Sequence, residues 1–185
     1  KDILGFPLTH TNNGWLNLCG AEYVDVADND VLDSKGDFTI QYWVKPNTLA
    51  NDDRMITKGV TGAGEWMISI GGGDKIRVYA KDDSNNAKDF TSSTALTVGT
   101  WSMITVIINR TSDKVDVYKD NGSVDAGTSA GWTSEFTSVK PLRIGVNSST
   151  LGFFNGQIDE VRIYNRALTT TEITKNYKHG KAKHS

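Results

Sequence analysis

The side chains best suited to chemistry are aromatic rings set in loops beside amides and carboxylates. Trp66 follows Gly62-Ala63-Gly64-Glu65, a polar loop runs Asp82-Asp83-Ser84-Asn85-Asn86, Trp132 sits in Ala130-Gly131-Trp132-Thr133-Ser134, and Phe153-Phe154 precede Asn155. An aromatic face takes the apolar C–H surface of a sugar, while amides and carboxylates pair its hydroxyls. Trp132, Trp66, Asp82, Asp83, Asn85 and Asn86 are therefore the candidate ligand-binding set. Trp132, in a Gly/Ser/Thr loop, is the ring expected in solvent. Trp66 also fits the core, since it begins a strand, and 82–86 also fits a loop with no task beyond solvation. Trp15, Trp43 and Trp101 recur with the strand pattern and read as core.

Catalysis finds less support. Glycoside hydrolysis needs two carboxylates about 5–9 Å apart across the scissile bond. The five glutamates, Glu22, Glu65, Glu135, Glu160 and Glu172, are all more than five residues apart. Asp159 and Glu160 are neighbours on a strand and point to opposite faces. His10, His179 and His184 stand in no recognisable relation to a nucleophile. No catalytic residue is assigned, and the chain reads as a non-enzyme. Cys19, the one cysteine, has no disulfide partner or zinc-binding companions and reads as a small core residue.

Positioning such loops requires a scaffold, and the pattern is all-β. Segments alternate apolar and polar residues and are punctuated by 18 glycines and three prolines. In Phe38-Thr-Ile-Gln-Tyr-Trp-Val-Lys-Pro46, Phe38, Ile40, Tyr42 and Val44 share one face, and Thr39, Gln41, Trp43 and Lys45 the other. Further strands read at 22–27, 54–59, 65–71, 75–80, 101–109, 114–119, 141–146 and 156–164, nine or ten in all. Gly71-Gly72-Gly73-Asp74 and Asp120-Asn121-Gly122 are hairpin signals, so sequential strands are expected antiparallel. One short helix is legible at the end. Thr169 and Glu172 fit a capping box, Leu168 and Ile173 a hydrophobic staple, and Gly180 is placed to stop the helix. Lys181 to Ser185 reads as a solvated, disordered basic tail.

The chain has 185 residues, 20 Lys+Arg against 22 Asp+Glu and a net charge of -2. One domain, residues 1–185, is expected to bury a core without disulfides or metal. Balanced charge argues against a nucleic-acid partner. The longest apolar run, Met103 to Ile108, is far short of the ~18 residues of a membrane span. The start, Lys-Asp-Ile-Leu, shows neither an initiator methionine nor a signal segment, as after removal of a leader or excision from a longer chain. Asn109-Arg-Thr111, Asn121-Gly-Ser123 and Asn147-Ser-Ser149 match the N-glycosylation pattern, which matters only in a eukaryotic secretory pathway.

Several stretches together resemble the laminin-G-like, concanavalin A-like jelly-roll family. They are Ala21 to Asp28, Gly36 to Pro46, Gly99-Thr-Trp-Ser-Met-Ile-Thr-Val, Lys114 to Gly122, Leu142-Arg-Ile-Gly145 and Phe154-Asn-Gly-Gln-Ile-Asp159-Glu-Val-Arg-Ile-Tyr-Asn-Arg-Ala-Leu168, in family order over about 15–178. The resemblance implies a two-sheet antiparallel jelly-roll sandwich with a short C-terminal helix, in an extracellular, virion or cell-surface setting. Such folds often carry a structural calcium, and Asp159 is the position matching the family's acidic ligand, with Gly20 and Glu22 able to add a carbonyl and a carboxylate. Cys19-Gly20 departs from the family's acidic residue before the glycine. Alternation places Asp159 with Val161 on one face, and Ile158 with Glu160 on the other. The functional expectation is a non-catalytic module binding a glycan through end loops or the concave sheet. The alternative is an adhesion or virion structural domain making protein contacts, marked by a broad apolar patch.

Overall fold

The strand Phe38–Pro46 alternates between two environments, and that alternation organises the molecule. The computed structural model describes residues 4–5, 14–59, 62–122, 124–128, 131–146 and 152–185. His10, the Asn12-Asn13 pair and the acceptor at Asn147 lie outside them. The described residues form thirteen strands: β1 Leu4–Gly5, β2 Leu16–Cys19, β3 Val24–Val26, β4 Phe38–Pro46, β5 Arg54–Lys58, β6 Glu65–Gly71, β7 Lys75–Lys81, β8 Ala87–Ala95, β9 Ser102–Asn109, β10 Lys114–Lys119, β11 Val124–Thr128, β12 Leu142–Ile144 and β13 Asn155–Tyr164. One α-helix, α1, spans Thr170–Lys181.

Two antiparallel sheets pack face to face. The seven-stranded sheet runs β1-β13-β4-β9-β10-β11, with β2 also on β13, and the six-stranded sheet runs β3-β12-β5-β6-β7-β8. Phe38, Ile40, Tyr42 and Val44 enter the core between the sheets, with Trp66, Ile68 and Ile70 of β6 facing them. The other face of β4 is covered by α1. There Trp43, Met103, Ile107, Tyr164, Leu168 and Ile173 form a second apolar cluster. Polar side chains beside it pair with one another: Gln41 Nε2 donates to Thr105 Oγ1 at 2.8 Å, and Asn176 Nδ2 donates to Gln41 Oε1 at 2.9 Å. The capping box of Thr169 and Glu172 starts the helix as expected.

Four expectations are corrected. Cys19 is exposed, because Leu18 takes the inward position of β2. A β-bulge interrupts β13 between Asp159 and Arg162, with Glu160 at φ +50°, so Ile158 and Val161 both enter the main core and Asp159 faces the helix side. His184 departs from the solvated tail expected at 181–185: its side chain has 0% exposure and stacks on Trp43, while 181–183 and 185 are exposed. Gly180 lies inside the helix rather than ending it, and a Cβ there would come within 2.4 Å of Trp43 Nε1. Its role is close approach. Gly180→Ala is therefore expected to lose about 1–3 kcal/mol to overpacking. Alanine's helix-propensity gain of about 1 kcal/mol offsets part of this. A urea midpoint at or above wild type would show that the indole yields freely.

Candidate functional site

The loop 82–86 and the segment 131–138 do come together, but their polar groups bind each other. Asp82 is fully buried; its Oδ2 accepts from Thr133 N at 2.8 Å, Ser134 N at 3.1 Å and Asn86 Nδ2 at 3.0 Å, and its Oδ1 from Asn86 N at 2.8 Å. Burial pushes this carboxyl up, yet the bonds from Asn86, Thr133 and Ser134 outweigh it and hold Asp82 below the usual carboxylate range. Asp83 Oδ2 accepts from Thr137 Oγ1 at 2.7 Å. Asn85 is exposed and takes the turn at φ +67°. Trp132 is corrected: it is 7% exposed, because 131–136 folds back onto Ser34 and the indole packs edge-on against Phe136 at 5.5 Å. Trp66 is 2% exposed, tilted against Phe38. No tryptophan of the candidate set offers a face to solvent.

The three residues assigned to calcium do not assemble. Gly20 lies against Asn155 at the start of β13. Exposed Glu22 accepts the Cys19 N–H at 2.7 Å, which draws its carboxyl below the usual range. Asp159 lies four residues further along β13, about 13 Å away at strand rise. Its Oδ1 accepts from Glu160 N at 2.8 Å, and its Oδ2 from His184 and Lys183. These residues do not fit a shell of six to eight oxygens, and among the described residues no group of three His, Cys, Asp or Glu is placed for a metal.

A different constellation lies on the outward face of the six-stranded sheet. In β7, Ile76, Val78 and Ala80 point inward, so Arg77 and Tyr79 point out. Pairing then aligns a row across all six strands: Asp25, Arg143, Thr57, Met67, Tyr79 and Asp89. A second row aligns Arg54, Ser69, Arg77 and Thr91. A chain of ion pairs crosses this row. Arg54 Nε donates to Asp52 O at 2.9 Å and its guanidinium pairs with the Asp52 carboxylate. Arg77 Nη1 donates to Asp52 Oδ1 at 3.0 Å, and Arg77 holds Asp89 bidentately, with Nε to Oδ1 at 2.8 Å. At the other rim Arg143 pairs with Asp25 at 3.0 Å and lies 5.4 Å over the Tyr23 ring, which itself meets Phe153.

This face is accessible although its floor is buried. Asp25, Asp52 and Asp89 keep 43–47% of their side-chain surface exposed, while Ser69 and Thr57 are fully buried. The Ser69 hydroxyl has no hydrogen-bond partner. The helix covers the other sheet. Burial, then the charges of Glu65 and Asp89, push the Tyr79 phenol up, so it remains a hydroxyl donor at neutral pH. Such a face offers bidentate acceptors, fixed guanidinium donors and flanking rings, a set suited to a polyhydroxylated ligand. The alternation in β7 and the Val-Asp-Val and Leu-Arg-Ile triplets of β3 and β12 carried this signal. Which strands become neighbours was not legible, because β12 pairs with β3 and β5, far away in sequence.

Two stacked antiparallel sheets in this strand order, closed by a capped helix, define a concanavalin A-like sandwich. The chain belongs to the Laminin_G_3 family of the concanavalin A-like lectin/glucanases superfamily, whose pattern matches residues 19–174. Among solved structures it is similar to the binding domain of botulinum neurotoxin serotype G, at 16% identity and TM-score 0.65 over 93% of this chain and 48% of that one. The binding domain of Paraclostridial Mosquitocidal Protein 1 is similar at 18% identity and TM-score 0.68, over 90% and 46%. Domain 4 of AbnA, a GH43 extracellular arabinanase from Geobacillus stearothermophilus solved in complex with arabinotriose, is similar at 23% identity and TM-score 0.68, over 87% and 75%. The chain spans about half the length of the two toxin binding domains. At these identities the likeness is one of fold. Curated protein sequences return no match.

Proposed function

We propose that the chain is a non-catalytic carbohydrate-recognition module that holds a neutral glycan on the outward face of the six-stranded sheet. The observation that carries this reading is the ion-pair chain Arg54–Asp52–Arg77–Asp89, flanked by Tyr79 and by the Tyr23, Phe153 and Arg143 rim. Three guanidiniums are matched there by three carboxylates, so no excess positive charge favours a uronate or sulfate. Charged groups locked by each other hold their hydrogen-bonding atoms at fixed positions, which lowers the cost of ordering them around a ligand. The arabinotriose complex of a domain with this fold supports the class of ligand. An extracellular setting, where polysaccharides are met, goes with this reading.

The test is a panel of immobilised neutral and uronate-containing oligosaccharides, with and without chelator, for wild type, Arg77→Ala and Tyr79→Ala. Neutral glycans are expected to bind wild type. Losing a charge-assisted bond of about 1.5–3 kcal/mol weakens binding roughly 10- to 150-fold in Arg77→Ala. Melting curves of the variants separate lost contact from lost fold. Absence of binding to every glycan at millimolar concentration overturns the reading.

A further inference from the structure

Beside the ground covered by α1, the outward face of the seven-stranded sheet carries an aromatic and amide patch. Leu18 of β2, Ile158 of β13 and Val44 of β4 enter the core, so Asn17, Gln157 and Lys45 point outward. Pairing aligns these three in one row, Asn17 opposite Gln157 and Gln157 opposite Lys45. Ser102 stands opposite Val44, so Trp101, one residue before β9, extends the row past Lys45. The next row holds Cys19, Asn155 and then Asn47, just beyond β4, whose Nδ2 donates to Asn155 Oδ1 at 3.0 Å. Trp15, one residue before β2, reaches across β13 and β4 to meet Trp101 edge-to-face at 5.7 Å. Both indoles, expected in the core from the strand pattern, are half-buried at this surface, and Asn17 and Asn47 are exposed.

The patch holds hydrogen-bonding capacity that the chain does not use. Gln157 Oε1 is covered without a partner, and among the described residues the Gln157 amide makes no side-chain hydrogen bond and Lys45 no ion pair. Both groups can therefore turn to a ligand without breaking a bond of their own, and an acceptor left unpaired costs free energy that a donor restores. Asp159, two residues along β13 from Gln157, is engaged by His184, Lys183 and the Glu160 N–H. On the six-stranded sheet three guanidiniums are matched by three carboxylates; here one ammonium stands without a counter-charge beside two indoles and four amides. We propose that this patch is a second carbohydrate site, selective for an acidic sugar. The carboxylate of a uronate residue pairs with Lys45, its hydroxyls meet Gln157, Asn17 and Asn47, and the apolar face of its ring lies against the Trp15–Trp101 pair. The assignment goes beyond the neutral-glycan reading of the other sheet and does not rest on it.

Titration of the isotope-labelled full chain with a galacturonate trisaccharide at neutral pH tests this through the tryptophan indole N–H signals in NMR. Those of Trp15 and Trp101 are expected to shift saturably, while those of Trp66 and Trp132, buried between the sheets, stay in place. The matched galactose trisaccharide, which lacks the carboxylates, is expected to bind about tenfold or more weakly, the loss of one charge-assisted bond. Lys45→Gln is expected to weaken uronate binding by the same factor with an unchanged melting temperature, because Lys45 lies outside the core. Trp101→Ala is expected to weaken it about tenfold through the lost ring contact. Three outcomes overturn the proposal: indole signals unmoved at millimolar trisaccharide, equal affinity for the acidic and neutral sugars, or Lys45→Gln binding the uronate as tightly as wild type. The first readings come from wild type, so they stand even where Trp101→Ala fails to fold. Failure here leaves the other sheet's reading intact, since that is judged by neutral glycans and Arg77→Ala.

Discussion

Lys58→Ala is expected to lower stability by about 3–5 kcal/mol, the cost of removing one partner of a buried charged network. The Lys58 side chain is completely buried at the end of β5. Its Nζ donates to Asp28 Oδ1 at 2.6 Å, Ser138 O at 2.5 Å and Lys140 O at 3.1 Å, with Asp33 Oδ1 3.9 Å away. One ammonium thus ties the β3–β4 connection to the segment entering β12. Alanine would leave two carbonyls and two carboxylates facing one another with nothing to bridge them. Burial already pushes the Asp33 carboxyl up, opposed by Lys58, so deleting that charge favours its protonation. At this chain length the loss corresponds to a melting-temperature fall of roughly 6–20 °C. Lys58→Met keeps the packed stem and loses only the charge, so it should fall between alanine and wild type. A change below about 1 kcal/mol in Lys58→Ala would mean that water enters and replaces the ammonium, contrary to a closed site.

The contrast between legible and illegible parts of this fold follows range of interaction. The two faces of β4, the Gly72–Asp74 and Asn121–Gly122 turns and the Thr169 capping box depend on neighbours a few residues away, so local pattern sufficed. β8 reads Ala-Lys-Asp-Phe-Thr-Ser-Ser-Thr-Ala, polar on both faces because it is an edge strand, and is absent from the strands expected from alternation. The bulge at 159–161 slips the alternation by one residue, and nothing local announces it. The corrections at Trp132 and His184 share a cause: a ring in a Gly/Ser/Thr loop or beside lysines looks solvated until a distant segment covers it. The outward face was half legible, in that Arg77 and Tyr79 share a side of one strand. The contributions of Asp52 and Asp89 depend on register and on a turn with Asp52 at φ +76°.

Acid should unfold the loop end of the sandwich first, and Asp82→Ala should reproduce that loss at neutral pH. Asp82, read from the sequence as a sugar ligand, instead serves four donors from Asn86, Thr133 and Ser134 with no exposure to solvent. Because its carboxyl lies below the ordinary value of 3.8 in the folded state, the unfolded chain binds its proton more readily. Its stabilisation is therefore complete above about pH 4, and declines as the pH falls through the folded value. Asp125, held low by Ser93 and Thr94 against burial, and Asp159 act with the same sign. Asp82→Ala takes the acceptor from the partly covered Asn86, Thr133 and Ser134 backbone N–H groups and leaves Asn86 Nδ2 with only Thr133 Oγ1, at 3.0 Å, an expected cost of about 3–5 kcal/mol. Asp82→Asn turns an amide N–H toward donors and should recover only part of it. The measurement is a urea midpoint series from pH 7 to pH 2.5: wild type should fall steeply below pH 4, and Asp82→Ala should start low and fall less. Parallel curves would assign the acid sensitivity to other carboxylates. If glycan binding on the outward face survives in Asp82→Ala below its melting temperature, the loop end and the binding face are separate in energy as well as in place.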